Sequence, residues 1–379
     1  MRAILLAVSL LLVGVTAFAG QPVPFVDSHL EEAVREAIGK ATGEITAPDL
    51  EGLSELTARG QEIGSLEGIQ ACTNLRKLDL GENHIRDLSP LARLTRLEEL
   101  ILASNAVEDA SPLAGLTNLV KIDLDFNSVK DATPFTGLTR LRWLGLWNSR
   151  IGDVSPLAGL TQLTTLGLGG NGITDIAPLE KLVELEWLGL QNNQIRDVSA
   201  LAGMVKLMRL GLEGNEVEDI SPLARMTPLV RLGLGGNRVK DLWALSGMTH
   251  LEWLSLWSNE VSDLTPLAGL TTLTHLWVDG NAIADIAPLA ALTELTNLGL
   301  ARNQISDVKA LAGLVGLVEL ELSANPIVDL SPLVENPGLG EGDRVTLIDT
   351  ALVLSRSAEG RRQIEALRER GVTVIDSRP

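Results

Sequence analysis

Residues 97–118 read LEELILASNAVEDASPLAGLTN, and this stretch decides the fold. Its marks are leucines at 97, 100, 102, 113 and 116, with Asn105, Val107, Asp109 and Pro112 between them. The same marks return every 22 residues from Leu75 to Gly338, twelve times without an insertion. The unit is L-x-x-L-x-L-x-x-N-x-(I/V)-x-D-x-x-P-L-x-x-L-x-x. Its asparagine is interrupted only by Ser149, its aspartate is never interrupted, and its proline gives way to alanine at Ala200, Ala244 and Ala310. A fixed period of this length signals stacked coils that share one core, because a single coil cannot bury its own apolar face.

Each marked position has a physical task. The L-x-L pair alternates with period two and predicts a short strand with one buried face. The asparagine turns the chain off that strand, and its amide can satisfy backbone groups of neighbouring coils that would otherwise be buried unpaired. The β-branched residue two positions on points back into the core. The aspartate suits the N-cap of a short helical turn, where a proline is tolerated because its amide would be unpaired in any case. About thirteen such strands at ~4.8 Å spacing predict a parallel sheet ~60 Å long.

The remaining composition narrows the class. The chain has 379 residues and a net charge of −18, so coating nucleic acid or an anionic membrane is not expected, since that needs basic side chains to displace counterions. One cysteine, Cys72, excludes an intramolecular disulfide framework and a multi-cysteine metal site. Met1-Arg2, an apolar run from Ala3 to Val15, and small residues at Ala17 and Ala19 read as a cleavable export signal over residues 1–19. No later stretch is apolar enough to span a bilayer, so a secreted or periplasmic protein without membrane insertion is expected.

The repeat resembles the 22-residue leucine-rich repeat of bacterial internalin-like proteins, and the likeness runs from Asp27 to about Ile375. It implies an α/β, right-handed leucine-rich-repeat solenoid: a horseshoe with a parallel β-sheet on its concave face, short 3-10 or helical turns on its convex face, and a helical N-terminal cap. Ser28 and Glu31 read as a capping box ahead of an amphipathic helix. The expected divisions are the signal peptide at 1–19, the helical cap at 20–52, the solenoid at 53–338 and a C-terminal capping repeat and helix at 339–379. The resemblance also implies a non-enzymatic module that binds a protein partner through the concave face.

Motifs for chemistry are weak. Gly167-Leu168-Gly169-Gly170-Asn171-Gly172 matches G-x-G-x-x-G, but Leu168 and Asn171 are repeat positions and no long helix follows. The twelve aspartates could line up for calcium, yet a row at constant spacing does not converge ligands on one point, and capping explains each one. Cys72 stands where later units carry leucine and reads as a buried small hydrophobe. His275 has no serine, cysteine or second histidine placed to make a triad. Neither a cofactor nor a metal is expected, and the chain is read as no enzyme.

Function in a repeat protein should lie at positions the consensus leaves free. Of seven tryptophans, six fall on the predicted open sheet face: Trp143, Trp147, Trp187, Trp253, Trp257 and Trp277. Trp243 alone lies on a capping turn. The column before the first strand leucine runs Trp187, Arg209, Arg231, Trp253 and then His275. The column between the leucines is Gly145, Gly167, Gly189, Gly211 and Gly233, predicting a shallow glycine-floored groove ~24 Å wide, flanked by indoles and guanidinium groups. These nine aromatic, basic and imidazole side chains are the candidate partner-binding set. Tryptophan and arginine are enriched at interface hot spots, which favours a protein partner on a chain expected to be monomeric. Indoles equally suit the apolar faces of sugars, which leaves a polysaccharide or cell-wall glycan as the alternative. A third reading has arginines stacked on indoles merely to cover the sheet, or tryptophan and glycine carried along by repeat copying.

Overall fold

In the computed structural model, residues 20–376 are described; the export signal expected at 1–19 lies outside them. The chain forms two compact units, divided after Asn171. In the first, parallel three-residue strands run through Glu55–Thr57, Lys77–Asp79, Glu99–Ile101, Lys121–Asp123, Trp143–Gly145 and Thr165–Gly167. In the second they run from Trp187–Gly189 through Arg209–Gly211, Arg231–Gly233, Trp253–Ser255, His275–Trp277, Asn297–Gly299 and Glu319–Glu321 to Arg344–Thr346 and Thr373–Ile375. The total among the described residues is fifteen rather than about thirteen, because the degenerate first coil and two C-terminal segments each add a strand to the twelve of the regular repeat. Each unit has the leucine-rich-repeat solenoid architecture, with strands in sequence order and 3-10 turns such as Ser111–Leu113 and Ser221–Arg225 between them.

The core is the repeat's leucine set. Leu100, Leu102, Val107, Leu113 and Leu116 are fully buried, and so are their equivalents coil after coil. Phe135 takes the place of the turn leucine in one coil and is equally buried. Cys72 is buried too, and burial pushes its thiol up to about 12, which removes any nucleophilic character at neutral pH.

The asparagine ladder works between coils. Asn127 Oδ1 accepts from Val107 N at 2.9 Å, while its Nδ2 donates to Leu102 O at 2.9 Å and to Leu124 O at 3.0 Å. One side chain thus pairs backbone groups of two coils that water does not reach. Ser149 keeps only part of this: its hydroxyl donates to Leu124 O at 3.3 Å, but it is too short to meet the Val129 N–H as Asn127 meets that of Val107. Next to it Arg150 has φ 94°, in the region that favours glycine. Ser149→Asn is therefore expected to stabilise the protein by about 1 kcal/mol, seen as a higher urea midpoint. A midpoint that falls would mean the coil has relaxed around serine and rejects the longer side chain.

Two local expectations need correction. The repeat aspartates stand one residue ahead of the N-cap: Asp109 Oδ1 accepts from Ser111 N at 2.8 Å, and the same two-residue bond recurs at all twelve positions from Asp87 to Asp329. They close an Asx turn that leads into the 3-10 turn, or at Asp329 into the short α-helix Ser331–Glu335. The N-terminal helix Ser28–Ile38 is capped by Asp27 rather than by Ser28. Asp27 Oδ1 accepts from His29 N and Leu30 N, and its Oδ2 from Gly64 N at 2.8 Å and Ser65 N at 3.2 Å. One carboxylate both starts the helix and ties it to the first coil. Burial pushes Asp27 up, but these four N–H donors outweigh it and hold the carboxyl below its usual range. Among the described residues no helix is long and apolar enough to cross a membrane.

Candidate functional site

In strands of three residues whose central leucine points inward, the first and third side chains face outward. The strand at Trp187–Gly189 pairs with Arg209–Gly211, setting Trp187 beside Arg209; Arg209 stands beside Arg231, Arg231 beside Trp253, and Trp253 beside His275. The row predicted from the sequence is therefore a row in space. Trp187, Arg209, Arg231 and Trp253 surround a cavity of about 260 Å³, whose floor is formed by Gln191, Glu213, Gly211 and Gly233.

That floor is not the bare glycine surface the sequence suggests. A β-carbon at Gly211 would lie 1.8 Å from Gln191 Nε2, and one at Gly233 would lie 1.8 Å from Glu213 Oε1. The glycines are sockets for side chains of the preceding coil. The same relation places Asp125 on Gly145 and Asp279 on Gly299, each acid twenty residues before its glycine. Indoles use sockets as well. Trp143 lies against Gly145, Trp147 against Gly169, Trp257 against Gly235 and Trp277 against Gly299. Trp143, Trp147 and Trp277 are half-buried in these sockets and Trp257 stays 42% exposed, while Trp187 and Trp253 are half-buried as well.

Burial governs the acids on this face. It pushes the Glu213 carboxyl above its usual range, against opposing hydrogen bonds from its own backbone N–H, the Gln191 amide and the Leu212 backbone. Glu213 Oε2 and Gln191 Oε1 are buried and accept no hydrogen bond. In the first unit burial pushes Asp125 up to about 6, opposed by the Trp147 N–H at 2.7 Å and assisted by neighbouring Asp123.

The nine candidates thus separate. Trp143 and Trp147 belong to the first unit, where Lys121 Nζ lies 4.8 Å above the Trp143 ring. Trp187, Arg209, Arg231 and Trp253 share one cavity in the second unit, with Arg231 5.8 Å from the Trp253 ring. Trp257 borders a different cavity of about 470 Å³, with Asp279, Arg302 and Glu321. Trp277 is half-buried, and His275 Nδ1 is held by Thr274 Oγ1 at 2.9 Å. Gln191 is the residue sequence reasoning missed. Its signal was available in the glycine twenty residues later, but that spacing differs from the 22-residue period and gains meaning only when side chains are placed.

A further cavity of about 870 Å³ lies off the sheet face, lined by Arg196, Glu216, Arg238, Lys240 and Trp243, whose indole is 59% exposed. Its basic groups are paired with its own acids: Glu216 bridges Arg196 at 2.8 Å and Arg238 at 3.0 Å, and Lys240 lies 3.7 Å from Glu218.

Residues 95–137, 139–181 and 249–291 match the family of leucine-rich repeats (2 copies), and residues 71–88 match a single leucine-rich repeat. The crystal structure of the internalin InlF from Listeria monocytogenes is similar with a TM-score of 0.83 and 35% identity, over 85% of this chain and 97% of that one. The functional domain of InlJ from the same organism matches at 0.65 and 23% identity, over 86% and 81%. A leucine-rich repeat protein of Leptospira interrogans matches at 0.68 and 20% identity, over 86% and 97%. At the last two identities the likeness is one of fold. Comparison with curated proteins finds no match.

Proposed function

The chain belongs to the internalin-like family of bacterial leucine-rich repeat proteins, and from that premise we propose that it is an exported, non-enzymatic module that holds a protein partner on the open sheet face of its second unit. The observation carrying this reading is the in-register row Trp187, Arg209, Arg231, Trp253 around one cavity. Two indoles and two guanidinium groups, none required by the repeat, present the side-chain types in which interface energy concentrates. Trp257 extends the same face, and His275 and Trp277 follow along it. Trp143 and Trp147 make a second aromatic group on the first unit. Export rests on the residues of the leader, Met1 to Ala19.

The test is retention of the mature chain on a cell-surface extract, before and after protease treatment of that extract. Retention that disappears after protease is expected. Retention that persists would assign the face to a glycan, and a chain that binds neither extract would sink the reading.

A further inference from the structure

Arg209 and Arg231 stand directly opposite each other on neighbouring strands of a strongly acidic chain. Like charges at such positions destabilise a sheet. Among the described residues, no carboxylate comes within 4.0 Å of either guanidinium. Arg231 lies over the Trp253 ring instead, and Glu213, on the cavity floor, is laid over Gly233. Folding alone gives no reason for the pair, whereas a carboxylate bridging both groups would turn the repulsion into two charge-assisted hydrogen bonds.

Spacing adds a second constraint. Trp187 and Trp253 lie three strand steps apart, ~14 Å at the usual ~4.8 Å per step, with the two arginines between them. An extended chain advances ~3.4 Å per residue and shows alternate side chains on one side. Its residues i and i+4 are therefore also ~14 Å apart, and residue i+2 points the same way midway between them. A single sugar ring would fill the cavity without reaching both indoles.

We propose, building on the protein-binding reading above, that this row recognises an extended partner segment of the pattern apolar–x–acidic–x–apolar. The segment lies across the strands. Its outer side chains rest on Trp187 and Trp253, and its central carboxylate bridges Arg209 and Arg231. Glu213 beneath them opposes non-specific capture of anions and makes the contact depend on the two indoles as well as on charge.

The experiment is calorimetric titration of the mature chain with the capped peptide Gly-Ser-Leu-Thr-Glu-Thr-Leu-Ser-Gly and with its Gln counterpart at the central position. The Glu peptide is expected to bind about ten-fold tighter than the Gln peptide. That advantage should shrink at about 0.5 M salt. It should vanish in the double variant R209Q/R231Q, whose fold is checked by a thermal transition no lower than that of the parent, and widen in E213Q. Equal binding of the two peptides, an advantage that survives R209Q/R231Q, or no binding of the Glu peptide up to about 1 mM would each overturn the proposal. Those outcomes leave the protein-binding reading intact if W187A/W253A still abolishes protease-sensitive retention on the cell-surface extract. Retention that survives both protease and W187A/W253A would remove that reading, while the peptide titration still reports on the arginine pair.

Discussion

Asn303→Leu lowers the unfolding free energy by about 1–3 kcal/mol, although it replaces a polar side chain in a leucine-rich core with leucine. Asn303 is only 8% exposed. Its Oδ1 accepts from Ile283 N at 3.0 Å, and its Nδ2 donates to Val278 O and Leu300 O, both at 3.0 Å. Leucine matches the volume but offers no donor or acceptor, so the Ile283 N–H loses its partner where water cannot replace it, while Val278 O and Leu300 O each lose one of two donors and keep the amides of Asn281 and Asn325. The stranded N–H costs about 1–3 kcal/mol, and the two lost carbonyl bonds add about 0.5–1.5 kcal/mol each. The gain from burying a larger apolar side chain, about 1.5–3 kcal/mol at most, is reduced by the poor fit of a branched group against backbone carbonyls. Urea unfolding of the two proteins gives the number, and hydrogen exchange locates it. Backbone amides around Ile283 should lose protection first, because coils of a repeat protein open locally. No loss of stability would show that the Ile283 N–H finds another partner in the variant.

The largest expected effect on binding comes from W187A/W253A, which weakens half-maximal retention on the cell-surface extract by about a thousand-fold. Hot-spot tryptophans cost about 2 kcal/mol or more each when truncated. Two of them, three strands apart, should add to about 4 kcal/mol. Stability should change much less, because both indoles lie on the outer face while Leu188 and Leu254 of the same strands stay in the core. W243A serves as the matching control: it removes an indole that is 59% exposed and off the sheet face, and it should leave retention unchanged. If W243A removes retention and W187A/W253A does not, the partner occupies the charged cavity around Glu216 instead.

Most of the scaffold was legible in the sequence because its determinants are local and repeat in register. The 22-residue period places Leu100 and Leu102 inside, Asn105 on the turn and Asp109 before the 3-10 turn, whatever happens elsewhere. At the N-terminal helix the competing choice was a neighbouring residue of similar chemistry. Asp27 and Ser28 are both good N-caps by type, and only the docking of Asp27 on Gly64 and Ser65 separates them.

The site divides along the same line. The sequence by itself determined that Trp187, Arg209, Arg231 and Trp253 form one column, since equal positions in successive coils of a parallel stack must stand side by side. It also determined that their central leucines point the other way. Tertiary structure alone decided what lies between and beneath those side chains. Gly211 and Gly233 look like open floor in a column of letters, yet they carry Gln191 and Glu213 from the preceding coil. The physical reason is that backbone register follows from the period, whereas the rotamer of a long side chain follows from the space its neighbours leave, and a missing β-carbon in the next coil is what leaves that space.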